Sequence, residues 1–199
     1  TRKAAQELRH RIRQRLLALA RNPEFSGPEA DDIRESIRTS DPDVSTYDSY
    51  AGSILRSYGL LLPVETGASI IDEGQLTDLV NDIVTVWPER FDRGLQLQSV
   101  VSDVLKLHGE MANHVVDPED VLRESDRLSD LLFVLPKGPR ARKEFTQDME
   151  KFLASCSYRK QLVEVVQVVR EEMRQQGVLD FAQQMALAAQ LVTKHATVG

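Results

Sequence analysis

From Gly74 onward, apolar residues recur at the spacing of an α-helix, and prolines or glycines end each stretch. The first stretch contains Leu76, Leu79, Val80, Ile83, Val84 and Trp87. These residues occupy positions i, i+3, i+4, i+7, i+8 and i+11, which lie on one face of a helix. A succession of such stretches predicts a helical bundle over residues 75–199.

Further helices of this bundle are predicted at 97–115, 117–135, about 145–156 and 179–194. The segment between Leu162 and Val169 has five valines in eight residues, which favours a strand, whereas its flanks and its apolar spacing favour a helix. We interpret it as a helix. Prolines and a glycine between the third and fourth helices predict a hinge at 136–141.

The first 73 residues follow a different order: three short helices and then two apolar runs. The first helix ends at Asn22-Pro23, the second ends near Thr39, and Ser45-x-x-Asp48 resembles a capping box that opens the third. The apolar stripe of the third helix is Tyr47, Ala51, Ile54, Leu55 and Tyr58. Gly59 is placed to end this helix in the left-handed conformation. The runs 60–65 and 68–72 bracket Thr66-Gly67, which predicts a β-hairpin with Pro63 on an edge strand.

Residues about 8–73 resemble the winged helix-turn-helix superfamily in element order and in the phrase from Ser53 to Leu61, where the third helix meets glycine and a leucine-rich strand. The expected fold is therefore mostly α: a winged-helix-like module with a small hairpin wing at 1–74, followed by a helical bundle at 75–199. The resemblance implies that the third helix presents a contact face to nucleic acid or to a partner. That face consists of Thr46, Ser49, Ser53 and Arg56.

The charge around this face favours a protein partner over DNA. The formal net charge of the chain is −6. Ten acidic residues lie between Asp41 and Asp92, against only Arg56 and Arg90. Such a surface repels phosphate. We therefore expect the module to serve docking or dimerisation.

Two basic clusters are compatible with a contact to nucleic acid. Seven basic residues and one acid, Glu7, lie between Arg2 and Arg21. The members that stand one turn apart and could straddle a phosphate backbone are Arg9, Arg11, Arg13 and Arg15. The alternative for this cluster is a solvated helix face. The second cluster consists of Lys137, Arg140, Arg142 and Lys143, for which the alternative is an exposed hinge.

No motif in the sequence indicates a catalytic, metal or cofactor site. His108 and His114 would lie about 240° apart on a helix, so they cannot bind the same metal ion. His108 falls on the apolar face of its helix, which predicts a partly buried histidine. Cys156 ends an apolar stripe and is interpreted as a packed thiol. The sequence contains no phosphate-binding loop of the form G-x-x-x-x-G-K-[ST] and no dinucleotide fingerprint.

The sequence therefore predicts a non-enzymatic subunit of a nucleic-acid-associated complex, with a protein partner or a homo-oligomer and no cofactor. A sequence-specific DNA-binding regulator and a helical enzyme without a recognisable motif are the alternatives. No apolar run is long enough to cross a membrane, and the start at Thr1-Arg2-Lys3 predicts no secretory signal. A cytoplasmic, nucleoid-associated or nuclear protein is expected. A start without Met indicates a piece of a longer protein.

Overall fold

Helices account for most of the chain in the computed structural model, which describes residues 2–62, 67–91, 96–135 and 146–195. The helices are α1 (Arg2–Arg21), α2 (Ala30–Thr39), α3 (Tyr47–Tyr58), α4 (Glu73–Thr85), α5 (Leu97–Asn113), α6 (Pro118–Val134), α7 (Gln147–Gln175) and α8 (Phe181–Lys194). Two short strands, β1 (Ser69–Ile70) and β2 (Val178–Leu179), complete the described elements. The prediction of a mostly helical chain is confirmed. None of the described helices has the length and apolar character needed to span a bilayer.

The chain divides into two compact units, Thr1–Ser53 and Ile54–Gly199, and α3 runs across the boundary. The sequence pattern had placed this boundary near residue 74. The proposed hinge at 136–141 lies outside the described residues.

The first unit is built on α1 and α2, which pack against each other. Arg34 ties the turn between them in place: its Nε donates to the carbonyl of Ala20 at 3.3 Å, and a terminal nitrogen donates to the carbonyl of Phe25. The same guanidinium lies 5.5 Å from the centre of the Phe25 ring. Few side chains of this unit are buried, chiefly Ala20 and Ile37. The unit is therefore held by arginine hydrogen bonds as much as by a core.

The second unit has a continuous apolar core formed by α4, α5 and α7. Val80, Val104 and Val166 are completely buried in it. α5 also packs against α8, and α6 packs along α7. α4 begins with a capping box, in which the side chain of Asp72 accepts from the amide of Gln75 and the side chain of Gln75 accepts from the amide of Asp72. The helices expected from apolar spacing in this unit are present.

The valine-rich segment lies inside α7, a single helix of 29 residues. Val163, Val165 and Val169 are all completely buried. A helix that is covered by neighbours on several sides can accept β-branched residues all round, because packing outweighs their weak helix propensity. The interpretation of this segment as a helix agrees with the structure, although the sequence did not show that it joins the preceding helix.

The predicted hairpin is wrong in its pairing. β1 pairs in parallel with β2, more than 100 residues away, through Ser69 and Val178 and through Ile70 and Leu179. Leu60 and Leu61 lie in a 3-10 turn at Gly59–Leu61 instead of a strand. Residues 63–66, which include the end of the first predicted strand and the first residue of the predicted turn, lie outside the described residues. The structure therefore does not show a winged-helix wing formed by the two runs.

The ends of α3 also differ from the prediction. Thr46, and not Ser45, caps the helix: its Oγ1 accepts from the amide of Ser49 at 3.2 Å. Gly59 opens the 3-10 turn and is not among the described glycines with positive φ, which are Gly27 and Gly177. α3 thus continues directly into a tighter 3-10 turn, which is a common ending of α-helices.

Candidate nucleic-acid interface

Arg13, one of the predicted contact residues, closes the C-terminal end of α2. Its guanidinium donates to the carbonyls of Ile37 at 2.5 Å, of Arg38 at 3.3 Å and of Ser40. Its Nε also pairs with the carboxylate of Asp41 at 3.1 Å. The last carbonyls of a helix have no intrahelical donors, so a cation that satisfies several of them stabilises the helix end. The side chain of Arg13 is thus mainly engaged within the protein.

Arg9 reaches the segment that leads into α3. Its terminal nitrogen donates to the carbonyl of Val44 at 2.8 Å, two residues before the cap of that helix. The side chain of Arg9 is exposed. A positive charge from α1 therefore lies close to the start of α3.

The other two predicted cations of α1 are exposed. Arg11 pairs with Glu7 at 2.5 Å, with both side chains largely in solvent. Arg15 forms no hydrogen bond or ion pair among the described residues. Of the four arginines predicted on α1, Arg15 is accordingly the one whose charge is left for an external anion.

Three of the four predicted contact residues of α3 lie in its first two turns. Thr46 and Ser49 share a hydrogen bond of 2.9 Å between their hydroxyls, and the Ser53 hydroxyl donates to the carbonyl of Tyr50 at 2.7 Å. The hydroxyl of Ser49 is exposed, whereas Thr46 and Ser53 are half-buried. Arg56 is exposed but belongs to the second unit.

Two tyrosines at the start of α3 were not predicted as contact residues. The side chain of Tyr47 is 84% exposed and that of Tyr50 is 55% exposed. They stand three residues apart and therefore on neighbouring positions of one helix face. The sequence had placed Tyr47 on the buried stripe, and that placement is wrong. Only Ala51 and Gly52 of this helix are buried.

We use the name α3 face for Thr46, Tyr47, Ser49 and Tyr50. The first unit, to which this face belongs, contains nine basic and nine acidic side chains, and the remainder of the chain contains 16 basic and 22 acidic ones. The negative charge of the protein thus belongs to the second unit. Lys137, Arg140, Arg142 and Lys143, the other predicted basic cluster, lie outside the described residues.

His108 forms a buried pair with Asp180 in the second unit. Its Nε2 is 2.6 Å from the carboxylate of Asp180, and the imidazole is 1% exposed. Burial by itself would raise the pKa of Asp180, but hydrogen bonds from His108 and from the amides of Gln183 and Ala182 outweigh it and lower that pKa. Asp180 also caps α8. Within the described ranges, no three His, Cys, Asp or Glu side chains come together as a metal site.

The comparisons with known proteins identify a helicase family. The family model of the UvrD/REP helicase N-terminal domain matches residues 1–198. No curated protein matches the chain.

This match corrects three predictions. The resemblance to the winged helix-turn-helix superfamily is wrong, since the matched family is a different one and covers nearly the whole chain. The predictions of a non-enzymatic assembly subunit and of no enzymatic role are wrong as well, because the family indicates a helicase-type enzyme. The physical reason is that helix, turn and helix before an apolar run describe many helical folds, so the pattern did not select one. The chain belongs to the UvrD/REP helicase N-terminal domain family.

Proposed function

We propose that this chain contributes to a DNA helicase by contacting a single nucleic-acid strand through the α3 face. A helicase moves along nucleic acid, and the family match supports that role for the protein to which this chain contributes. Channels that hold single strands combine aromatic side chains, on which bases stack, with cations that follow the backbone. The observation that carries the proposal is the pair of exposed tyrosines in the first turns of α3.

Tyr47 and Tyr50 supply the aromatic part of this arrangement. A tyrosine ring that is 84% exposed contributes little to the protein's own packing. Single-stranded bases have free π-faces and stack on such rings without regard to sequence. Two rings one helical turn apart therefore suit neighbouring bases of an unpaired strand.

The start of α3 and Arg9 of α1 supply the polar part. The first amides of a helix have no intrahelical acceptors and favour phosphate, and the exposed Ser49 hydroxyl is a further donor. Arg9 lies beside Val44 and adds positive charge near this helix start. Asp48 in the first turn opposes phosphate, so we expect stacking to contribute more to affinity than charge does.

The test is the affinity of the chain for a fluorescent single-stranded thymidine oligonucleotide, measured by anisotropy at two salt concentrations. Stacking of one base is worth about 1–3 kcal/mol, so Tyr47→Ala should weaken binding by roughly 5- to 150-fold. Tyr47→Phe retains the ring and should bind within about twofold of the parent chain. We expect Arg9→Gln to reduce the dependence of the affinity on salt concentration, because it removes the positive charge beside the start of α3.

The matched control is Arg123→Gln, which removes an exposed arginine from α6 in the second unit. It should leave both affinity and salt dependence unchanged. If Tyr47→Ala bound as tightly as the parent chain, or if the parent chain bound only duplex DNA, the proposal would be wrong. A cytoplasmic or nucleoid location is the one in which such a helicase meets its substrate.

A further inference from the structure

The second unit contains a cavity of about 280 Å³ that plays no part in the proposed strand contact. The C-terminal end of α5, the last turns of α7, β2 and α8 form its walls. The volume lies just below the range that is usual for small-molecule sites. Since a cavity of about 150 Å³ can already hold benzene, this one is large enough for a compact organic molecule.

The walls of the cavity are mostly apolar. Met111, Met173 and Leu187 provide aliphatic and thioether surface from three different helices. Methionine side chains adapt to irregular partners and make favourable contacts with aromatic rings. An apolar body of a ligand would find complementary surface here.

Arg170 gives this apolar cavity a charged wall. The residue is half-buried, and its Nε, which is buried, has no hydrogen-bond acceptor among the described residues. Among the described residues no carboxylate lies within 4.0 Å of its guanidinium as an ion pair. Burial lowers the pKa of Arg170, and the more distant carboxylates of Asp117, Asp180 and Glu119 compensate only in part. Proteins normally pair a guanidinium that is partly withdrawn from water, so an anion that enters the cavity would supply a partner that the described residues do not.

The backbone at the edge of the cavity is strained. Val115 has φ of +53°, in the left-handed region that β-branched residues avoid. It occupies the glycine position of a Schellman ending: its amide donates to Ala112 at 3.1 Å, and the amide of Val116 donates to Met111 at 2.9 Å. Strained residues of this kind cluster at ligand sites. Val115 and its neighbour Val116 both line the cavity.

We propose that this cavity binds a small amphipathic anion, with its apolar body against the helix walls and its carboxylate or sulfonate on the guanidinium of Arg170. The guanidinium can bind two oxygens of such a group through two parallel hydrogen bonds. Asp117 also lines the cavity and disfavours a second negative charge. Monovalent anions are therefore preferred over phosphate esters.

The probe is 8-anilinonaphthalene-1-sulfonate, an apolar aromatic sulfonate whose fluorescence rises in apolar surroundings. The parent chain should show saturable binding of one molecule, and octanoate should displace it while uncharged octan-1-ol displaces it far less well. Arg170→Met removes the charge but keeps the length of the side chain, and it should weaken binding about tenfold. Ala186→Leu fills the cavity from α8 and should weaken binding at least as much.

Arg123→Met, an equivalent change on the exposed surface of α6, should bind the probe like the parent chain. Arg170→Met removes a poorly compensated buried charge, so it should fold at least as well as the parent, which a thermal melt followed by circular dichroism will check. Equal affinities of the parent chain and Arg170→Met would overturn the proposal. So would probe fluorescence that fails to saturate, or displacement by octan-1-ol as effective as that by octanoate.

Discussion

At the scale of single residues, Arg13 has the largest structural role of the cations on α1. It satisfies three carbonyls at the end of α2 and pairs with Asp41. Arg13→Ala would leave these carbonyls without their charged donor. Since hydrogen bonds to charged groups are worth about 1.5–3 kcal/mol, we expect a loss of that size in the stability of the first unit.

Hydrogen exchange of the α2 amides, measured with urea unfolding, will report the Arg13→Ala loss. Arg11→Ala is the matched control on the same helix, because the pair of Arg11 with Glu7 lies in solvent and should cost about 0.5 kcal/mol or less. Equal losses in the two variants would show that the carbonyl contacts of Arg13 do not hold α2.

Asp180 should make the stability of the second unit sensitive to acid. Its pKa in the folded protein lies below the ordinary value of 3.8, because hydrogen bonds from His108 and two amides outweigh burial. The folded state thus favours the carboxylate more than the unfolded chain does. This contribution is present above the unfolded pKa of about 3.9, and it is lost as the pH falls through the lower folded value.

Asp180→Asn should therefore be less stable than the parent chain at pH 7, and the difference should shrink below about pH 4. Urea unfolding between pH 7 and pH 2 gives the free energy of unfolding of each protein as a function of pH. Parallel curves over the whole range would mean that the carboxylate of Asp180 is not linked to folding.

At the scale of elements, the short β1–β2 pair depends on the backbone of Gly177. The amide of Ser69 donates to the carbonyl of Gly177 at 2.9 Å, and Gly177 has φ of +62° after the end of α7. Any other residue is strained in this conformation, so Gly177→Ala should lower the free energy of unfolding by about 1 kcal/mol.

Gly109→Ala is a control with the opposite expected sign. Gly109 lies inside α5, and a Cβ atom added there would have no heavy atom within 4 Å. Alanine has the better helix propensity, so this change should stabilise the protein by about 0.5–1 kcal/mol. Chemical denaturation measures the free energy of unfolding of both variants. A lower value for Gly109→Ala or a higher value for Gly177→Ala than for the parent chain would contradict the account.

Elements whose signals are local could be predicted from the sequence, and those that depend on distant partners could not. Apolar spacing predicted α4, α5 and α6, since a stripe such as Leu76, Val80 and Val84 is complete within one helix. The partner of β1 is β2, and two-residue strands carry no periodicity of their own. The run after Gly59 was therefore paired with its neighbour in sequence, which predicted a hairpin that the described residues of the two runs do not form.

The proposed α3 face could be predicted from the sequence only in part, for a related reason. Thr46 and Ser49 were predicted because the resemblance to a winged helix placed them on the solvent face of its third helix. Tyr47 was assigned to the core because its position fits an apolar stripe, and an apolar stripe does not show whether anything covers it. Tyrosine suits both environments, since its ring is apolar and its hydroxyl is polar. Exposure in the structure distinguishes the two.

At the scale of the whole molecule, charge is distributed between two units with different properties. The first unit is balanced in charge and carries the α3 face, and the second unit carries the net negative charge and the large apolar core. The overall charge of −6 had argued against nucleic acid. The charge of a local face, and not the net charge of the chain, decides whether a strand can bind. Salt screening limits the interaction between exposed charges to a distance of about 10 Å.

The account's central claim is that a single strand contacts the first turns of α3. Cross-linking a single-stranded oligonucleotide that contains 5-iodouracil, followed by trypsin and mass spectrometry, tests this contact directly. Iodouracil reacts with aromatic side chains that stack on it. We expect the adduct on the peptide 39–56, at Tyr47 or Tyr50, and its loss in Tyr47→Ala/Tyr50→Ala. Adducts confined to peptides of α6 or α7 would contradict the claim.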